Sequence, residues 1–264
     1  MEPNFRLDQK VTLFTGGTGG IGSGSCLAMA ALGSDVGILH LNDPEKAETL
    51  AEQIRAMGRK AYTIEQDLDR IDELHGVVER FVRDAGRIDI LVNCAGVCDI
   101  LKYKDVTPSV MERTFRINTM APFFLAQKAA DFMIQQGNGG RIVNVASTNA
   151  LVAEANLVPY NTSKGGVEML AQTLAIELAP HKITVNNVAP GLVKTTIVEL
   201  TDSFWEEARR AIPMGRPAEH REVSAAICFL ASPAASYITG QHIVVDGGLI
   251  IEQFPGLRDQ ADPS

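Results

Sequence analysis

The sequence has no apolar run approaching the roughly 20 residues that a bilayer-crossing helix needs. It also begins without a basic and apolar leader that ends at a small-residue cleavage site. We therefore expect a cytoplasmic protein with no membrane contact. Positive charge is scarce as well, since 24 Lys and Arg stand against 32 Asp and Glu and give a net charge of -8. Because that charge repels a phosphate polyanion, nucleic acid is not an expected partner.

Cysteine is also sparse, with four residues at positions 26, 94, 98 and 228. Cys94 and Cys98 are close enough to suggest metal ligands, but no His or second Cys pair lies near them at the spacing of a zinc site. We therefore expect four reduced thiols packed among small and apolar residues, and no metal.

What the sequence does contain is a regular alternation of short apolar runs and longer amphipathic stretches. No linker interrupts it, so the 264 residues predict one domain at 1–251 and a polar tail at 252–264. Such alternation is typical of an α/β fold, here a Rossmann-type, doubly wound sheet of seven parallel strands with helices on both faces. Strands are predicted at 10–15, 35–41, 60–66, 88–93, 140–146, 184–188 and 242–245. Helices are predicted at 21–32, 44–57, 71–85, 111–136, 159–179 and 219–231.

The first predicted strand runs directly into a glycine-rich turn, Thr15-Gly16-Gly17-Thr18-Gly19-Gly20-Ile21-Gly22, and a predicted helix follows. Glycine lets a backbone approach a pyrophosphate closely, and a helix N-terminus offers free N–H groups and the positive end of its dipole. An isolated glycine cluster is usually a plain turn, but the position between strand and helix favours dinucleotide binding. The turn lacks the Gly-Lys-Ser/Thr ending of a nucleoside-triphosphate loop, which disfavours phosphoryl transfer.

Tyr160 and Lys164 are four residues apart at the start of a predicted helix, which puts their side chains on one face. A lysine ammonium beside a phenol favours the phenolate and lowers the phenol pKa from about 10, so the pair could exchange a proton with substrate. At this spacing alone, such a pair is more often part of an amphipathic surface. Ser147 strengthens the catalytic interpretation, because it ends a predicted strand at the sheet edge where ligands bind. Its alternative role is a turn or helix-cap hydroxyl.

Together these motifs resemble the short-chain dehydrogenases/reductases, in the branch of single-domain chains of about 250 residues. The resemblance covers nearly the whole chain. The matching elements are Thr15-Gly16-x-x-x-Gly20-x-Gly22, Asp67, Asn93-Cys94-Ala95-Gly96, Asn118, Ser147, Tyr160-x-x-x-Lys164 and Pro190-Gly191. Cys94 departs from the Asn that is common at its position, and we expect a change of packing without loss of activity.

The resemblance implies an NAD(P)-dependent oxidoreductase that interconverts a secondary alcohol and a ketone, or a sugar lactol and a lactone. Tyr160 would be the general acid in reduction and the base in oxidation, and Ser147 would orient the substrate oxygen. Lys164 would hold the nicotinamide ribose and favour the Tyr160 phenolate, while Asn118 would hold a water in a proton relay. The nicotinamide supplies the hydride. The implied cofactor-binding residues are Gly16, Thr18, Gly20, Ile21, Gly22, Leu41, Asn42, Asp67, Leu68, Asn93, Ala95, Gly96, Tyr160, Lys164, Pro190, Gly191, Val193 and Thr195.

The choice between the two nicotinamide dinucleotides usually depends on the end of the second strand, where a carboxylate binds the ribose or an arginine pairs with a 2′-phosphate. Leu41, which can do neither, holds that position. Gly19, where phosphate-preferring relatives often carry Arg or Lys, and the charge of Asp43 both favour NAD. His40 and Asn42 could still donate to a phosphate, so NADP stays the alternative.

The substrate cleft is expected to be walled by Cys98, by the segment after Ser147 and by a mobile lid at 192–215 that carries Phe204 and Trp205. The polar residues of these walls favour a sugar or polyol-like alcohol. The predicted substrate residues are Ser147, Asn149, Glu154, Leu157 and Tyr160. The alternatives are a 3-oxoacyl-thioester reductase, which uses the same four catalytic residues, and a catalytically silent dinucleotide-binding partner protein. The regions 111–136 and 240–250 resemble the surfaces through which relatives form homotetramers.

Overall fold

Seven parallel strands form one sheet within the residues that the computed structural model describes, 4–194 and 201–252. The strands are β1 (Val11–Thr15), β2 (Asp35–His40), β3 (Ala61–Glu65), β4 (Ile90–Asn93), β5 (Gly140–Val145), β6 (Ile183–Pro190) and β7 (His242–Val245). Their order across the sheet is β3-β2-β1-β4-β5-β6-β7, with every pairing parallel. The predicted doubly wound sheet is therefore confirmed, with small shifts at the strand ends.

Eight α-helices are present in the same residues, and six of them cover the two faces of the sheet. They are α1 (Gly20–Ala31), α2 (Pro44–Ala56), α3 (Leu74–Ala85), α4 (Pro108–Phe115), α5 (Ala121–Gln136), α6 (Val158–Leu178), α7 (Asp202–Ala211) and α8 (His220–Ala231). Helices α1, α2 and α8 pack on one face, through residues such as Met29 and Ile227. Helices α3, α5 and α6 pack on the other, through residues such as Phe81 and Leu125. No helix in the described part of the chain is long and apolar enough to cross a membrane.

Neighbouring residues of β1 belong to opposite layers, because the side chains of a strand alternate across the sheet. Leu13 packs into the layer of α3, α5 and α6, whereas Phe14 packs into the layer of α1, α2 and α8. Both side chains are fully buried. A sheet that is covered on both faces explains why its strands appear in the sequence as continuous apolar runs.

The helix predicted at 111–136 is interrupted in the structure. It begins earlier, in α4, where the Thr107 hydroxyl caps the helix by accepting from the Val110 N–H at 3.4 Å. A π-helical turn, Arg116–Met120, then separates α4 from α5 and contains Asn118. Such wide turns are frequent at functional sites. The sequence does not reveal this one, because apolar residues recur at helical spacing on both sides of it.

The strand order reverses between β1 and β4, and a doubly wound sheet binds its ligands in the crevice at the carboxyl ends of such strands. The Thr15 hydroxyl oxygen, at the end of β1, accepts from the N–H groups of Cys94 at 3.0 Å and Ala95 at 3.1 Å. These bonds fix the loop after β4 beside the glycine turn after β1. Two of the predicted cofactor-binding segments are thereby neighbours.

The second half of the predicted lid contains α7 and ends against the loop that follows β7. Ile212 is buried, and the Met214 N–H donates to the Gly247 oxygen at 3.2 Å. The segment after α7 is thus attached to the body of the protein. The predicted cofactor contact Thr195, and the predicted tail apart from Glu252, lie outside the described residues.

Candidate active site

Ser147, Tyr160 and Lys164 line one pocket at the carboxyl end of the sheet. Ser147 follows β5, whereas Tyr160 and Lys164 lie on the first two turns of α6. The buried Lys164 ammonium lies 5.6 Å from the centre of the Tyr160 ring and donates to the main-chain oxygen of Val145 at 2.9 Å. The structure thus brings three of the four predicted catalytic side chains to one cavity.

The fourth predicted catalytic residue, Asn118, is buried in the π-helical turn and does not itself line that pocket. Its Oδ1 accepts from the Val97 N–H at 2.9 Å, and its Nδ2 donates to the Val97 oxygen at 2.9 Å and to Ser163 Oγ at 3.1 Å. These bonds tie the loop after β4 to α6. A Cβ on Gly96 would lie 3.3 Å from Asn118 Oδ1 and 3.7 Å from Lys164 Nζ, so that glycine is close to both polar groups.

The Ser147 hydroxyl is held by the residue two positions further along the chain. Its Oγ donates to Asn149 Oδ1 and accepts from the Asn149 N–H, both at 3.1 Å. Asn149 Nδ2 in turn donates to Asn161 Oδ1 at 2.9 Å. Asn149 is a predicted substrate residue that lines the pocket, and its side chain also holds the Ser147 hydroxyl. Asn161 is not among the site residues predicted from the sequence. Its position next to Tyr160 is the only indication in the sequence that it belongs to the site.

Four of the five predicted substrate residues line the pocket, namely Ser147, Asn149, Leu157 and Tyr160. The structure does not bring the fifth, Glu154, into the pocket. Its side chain is exposed, and its main-chain oxygen accepts from Asn161 Nδ2 at 2.8 Å. The remaining wall is mainly apolar and includes Val97, Cys98, Leu192 and Trp205 of the lid helix.

Loss of hydration dominates the electrostatics of Tyr160 and Lys164. It raises the pKa of Tyr160 to about 12, although a hydrogen bond with Ser147 acts in the opposite direction. Burial also lowers the pKa of Lys164 to about 8. The sequence led us to expect that Lys164 lowers the phenol pKa below its ordinary value. The structure contradicts that expectation, because the loss of hydration at Tyr160 outweighs the favourable interactions of its phenolate.

The glycine turn has the shape that a dinucleotide phosphate requires. Gly16 has a φ of +67°, and a Cβ there would lie 2.9 Å from Ala95 Cα. A Cβ on Gly22 would lie 2.1 Å from the Gly16 oxygen, so a side chain cannot be accommodated. Helix α1 starts here with no side-chain cap and no acidic residue in its first turn, which leaves its N-terminal N–H groups to a ligand. These residues fit the pyrophosphate of a dinucleotide.

Several other predicted cofactor residues line the same pocket as Tyr160 and Lys164. They are Ile21, Gly96, Pro190, Gly191 and Val193. Asp67 and Leu68 follow β3, where Asp67 Oδ1 accepts from the Asp69 N–H at 2.9 Å and Leu68 is buried in the layer of α3. The Asn93 side chain is turned into the protein, because its Nδ2 donates to Asn144 Oδ1 at 2.9 Å. The Leu68 and Asn93 side chains therefore belong to the core, and any cofactor contact at those positions is through the backbone.

Comparison with known proteins agrees with this geometry. A family model described as enoyl-(acyl carrier protein) reductase matches residues 16–250. The chain is 35% identical to an L-rhamnose 1-dehydrogenase (NAD(P)(+)) from Sphingomonas sp., covering 93% of this chain and 98% of that protein. It is 36% identical to a 2-dehydro-3-deoxy-D-gluconate 5-dehydrogenase from Escherichia coli, covering 92% and 96%. A crystal structure of a short-chain type dehydrogenase/reductase from Mycobacterium marinum superposes with a TM-score of 0.89 at 34% identity, covering 94% and 98%. The chain therefore belongs to the short-chain dehydrogenase/reductase family and is an NAD(P)-dependent oxidoreductase that acts on CH–OH groups.

Proposed function

We propose that the protein interconverts a secondary alcohol and a ketone, or a sugar lactol and a lactone, with Tyr160 as the proton carrier. The observation that carries this proposal is the single pocket shared by Ser147, Tyr160 and Lys164 with the segments Gly96–Val97 and Pro190–Gly191. Catalytic side chains and predicted cofactor-binding backbone thus meet at the crevice of the sheet. A silent binding protein would have no need of this arrangement.

The bound nicotinamide supplies or accepts the hydride. In reduction, the protonated phenol of Tyr160 donates its proton to the substrate oxygen, and in oxidation the phenolate takes that proton back. Ser147, held by Asn149, donates a hydrogen bond to the same oxygen and orients it. Lys164 holds the nicotinamide ribose, and Asn118 holds a water that relays protons to Lys164.

The substrate is a sugar or polyol-like alcohol. Support comes from the relatives described above, which are named for rhamnose and for a deoxygluconate derivative. In the pocket, the Ser147 and Tyr160 hydroxyls can bind the reacting oxygen, and the apolar side chains of Cys98, Leu157 and Trp205 can pack against the C–H groups of the substrate. A 3-oxoacyl-thioester reductase is the less favoured alternative.

NAD is the preferred cofactor, with NADP as the alternative. At the end of β2, Leu41 is exposed, and the Asn42 N–H donates to a Glu65 carboxylate oxygen at 3.3 Å. Glu65 and Asp43 put two negative charges at this corner, which oppose a 2′-phosphate. His40, which we considered as a phosphate donor, is buried.

The cofactor proposal is tested by two substitutions at the same exposed position. Leu41→Arg provides a cation for a 2′-phosphate and should raise kcat/KM for NADP relative to NAD by about tenfold. Leu41→Asp provides a ribose-binding carboxylate and should shift the ratio toward NAD. Wild-type protein that uses NADP more efficiently than NAD would contradict the stated preference.

We also propose a lid over the substrate and a homotetrameric assembly. Residues 192–215 act as a lid over the substrate, with Trp205 reaching the pocket from α7.

A homotetramer is favoured by exposed apolar side chains on α6, where Met169 and Ile176 are 60% and 78% exposed. Light scattering should give four times the chain mass, and a monomer would contradict the proposed assembly. The cytosol is the proposed compartment.

The function is tested by following nicotinamide absorbance with both dinucleotides across sugars, polyols, hydroxysteroids and 3-oxoacyl thioesters. Turnover should be greatest with a sugar or polyol and should require Tyr160. Preferential reduction of a 3-oxoacyl thioester would favour the alternative enzyme. Tight dinucleotide binding without turnover of any compound would favour the silent module.

A further inference from the structure

His220 lies at the start of α8, where the lid and the glycine turn come together. Its Nε2 is 2.7 Å from the main-chain oxygen of Lys194, at the beginning of the lid. Its ring also fills the space in front of Gly20, since a Cβ on that glycine would lie 2.5 Å from His220 Cε1. One imidazole therefore touches both sides of the cleft that the dinucleotide would enter.

The lid leaves the body of the protein and returns to it at adjacent points. Val193 and Ala218 form a parallel bridge, and the Ala218 N–H donates to the Leu192 oxygen at 2.9 Å. The hydrogen bond from the His220 side chain to Lys194 is a second link at this point, which we call the base of the lid. The position of Lys194 thus depends on where the imidazole is held.

The backbone of His220 is fixed relative to the glycine turn. Glu219 and Glu222 form a capping box at the start of α8. The Ser224 hydroxyl donates to the His220 oxygen at 2.9 Å and shares a hydrogen bond of 2.9 Å with Ser25 Oγ on α1. Since α1 begins in the glycine turn, these contacts link the start of α8 to the helix that follows the turn.

We propose that His220 is a positioning residue that holds the base of the lid against the dinucleotide-binding turn through its hydrogen bond to Lys194. The inference rests on the proposed function, because dinucleotide binding at Gly16–Gly22 is part of it. Lys194 follows Val193, which lines the pocket. Loss of the hydrogen bond makes this wall of the cleft more mobile. The dinucleotide is then bound less tightly, and the Trp205 side chain is no longer held in one position.

Two substitutions separate the hydrogen bond from the packing of the ring. His220→Phe keeps a ring in front of Gly20 but has no donor for Lys194. His220→Gln keeps an N–H donor of similar reach but has no ring. We expect the Phe variant to raise the Kd for NAD or NADP about tenfold and the Gln variant to stay within about threefold of the wild type.

Trp205 provides a readout that does not depend on turnover. It is the only tryptophan in the sequence and lines the pocket from the lid helix. Its fluorescence, titrated with NAD and NADP, gives both the Kd and the environment of the lid. We expect the fluorescence change on binding to be reduced in His220→Phe and restored in His220→Gln, with similar thermal midpoints for all three proteins.

Wild-type Kd and wild-type fluorescence change in His220→Phe would overturn the inference. A loss in His220→Gln alone would also overturn it, because it would mean that the ring only packs on Gly20. Equal losses in the Phe and Gln variants would overturn it as well, because the hydrogen-bond donor that Gln retains would then have no effect. If the Phe variant does not fold, His220→Leu takes its place in the comparison. Wild-type protein that binds neither dinucleotide would overturn the proposed function as well, whereas an unaffected Phe variant overturns the role of His220 alone.

Discussion

The Lys164 ammonium lies 5.6 Å from the centre of the Tyr160 ring and donates to the Val145 oxygen at 2.9 Å. Lys164 is buried and Tyr160 is half-buried, and the loss of hydration raises the pKa of Tyr160 to about 12 and lowers that of Lys164 to about 8. At neutral pH the phenol is protonated, which is the form that donates a proton to a carbonyl oxygen. Oxidation requires the phenolate, so its rate should increase as the pH rises.

Tyr160→Phe should bind dinucleotide with a Kd within about threefold of the wild type, because the ring remains. Its kcat should fall by about a hundredfold or more, because the proton carrier is lost. Steady-state kinetics with the best substrate of the panel, combined with fluorescence titration of the dinucleotide, check both expectations. Substantial remaining turnover would remove Tyr160 from its proposed role.

Lys164 should give the protein an unusual pH dependence of stability. Its pKa is about 8 in the folded protein and 10.5 in the reference state, so between these pH values the unfolded chain binds more protons. The free energy of unfolding should therefore rise with pH across this window. Lys164→Met has no such group. Its free energy of unfolding should therefore increase relative to that of the wild type as the pH falls toward 8.

Thermal or urea unfolding of both proteins at several pH values measures this difference. The comparison cancels the contributions of groups that the two proteins share. If the difference in free energy of unfolding is the same at pH 8 and pH 10, Lys164 does not have the lowered pKa.

The fold could be predicted from the sequence because each strand and helix has its own apolar pattern. The glycine turn and the pair Tyr160 and Lys164 were found for the same reason, since their spacing is local. The raised pKa of Tyr160 could not be predicted, because it depends on how deeply distant segments bury the phenol. The support of Ser147 by Asn149 was also missed, because residue types alone do not separate a substrate contact from a positioning contact.

Asn149→Ala should lower kcat/KM about tenfold, because the Ser147 hydroxyl loses the Asn149 Oδ1 acceptor that orients its proton and keeps only the main-chain N–H of residue 149 as a donor. The Kd for dinucleotide should be unchanged. Val152→Ala is the matched control, since Val152 lies in the same segment and is exposed. Equal kcat/KM values for Asn149→Ala and the control would show that Ser147 is oriented without Asn149.

A row of amide side chains crosses the centre of the sheet beneath the site. Asn93, Asn144 and Asn187 are register partners on β4, β5 and β6. Asn93 Nδ2 donates to Asn144 Oδ1 at 2.9 Å, and Asn144 Nδ2 donates to Asn187 Oδ1 at 3.0 Å. Asn187 Nδ2 donates to Glu168 Oε2 at 3.1 Å, and the same carboxylate pairs with His242 of β7. The carboxylate can only accept, so it sets the direction of every bond in the row.

Asn187→Leu should interrupt this row and leave Asn144 Nδ2 and Glu168 Oε2 each with one partner fewer in the interior. Unsatisfied buried groups are costly, so we expect the free energy of unfolding to fall by about 3 kcal/mol. Thr184→Val on the same strand is the control, because the buried Thr184 hydroxyl has no hydrogen-bond partner among the described residues. That variant should be nearly as stable as the wild type or slightly more stable. Urea unfolding of the two variants measures this difference. Equal free energies of unfolding would mean that the row of amides does not stabilise the sheet that carries Ser147.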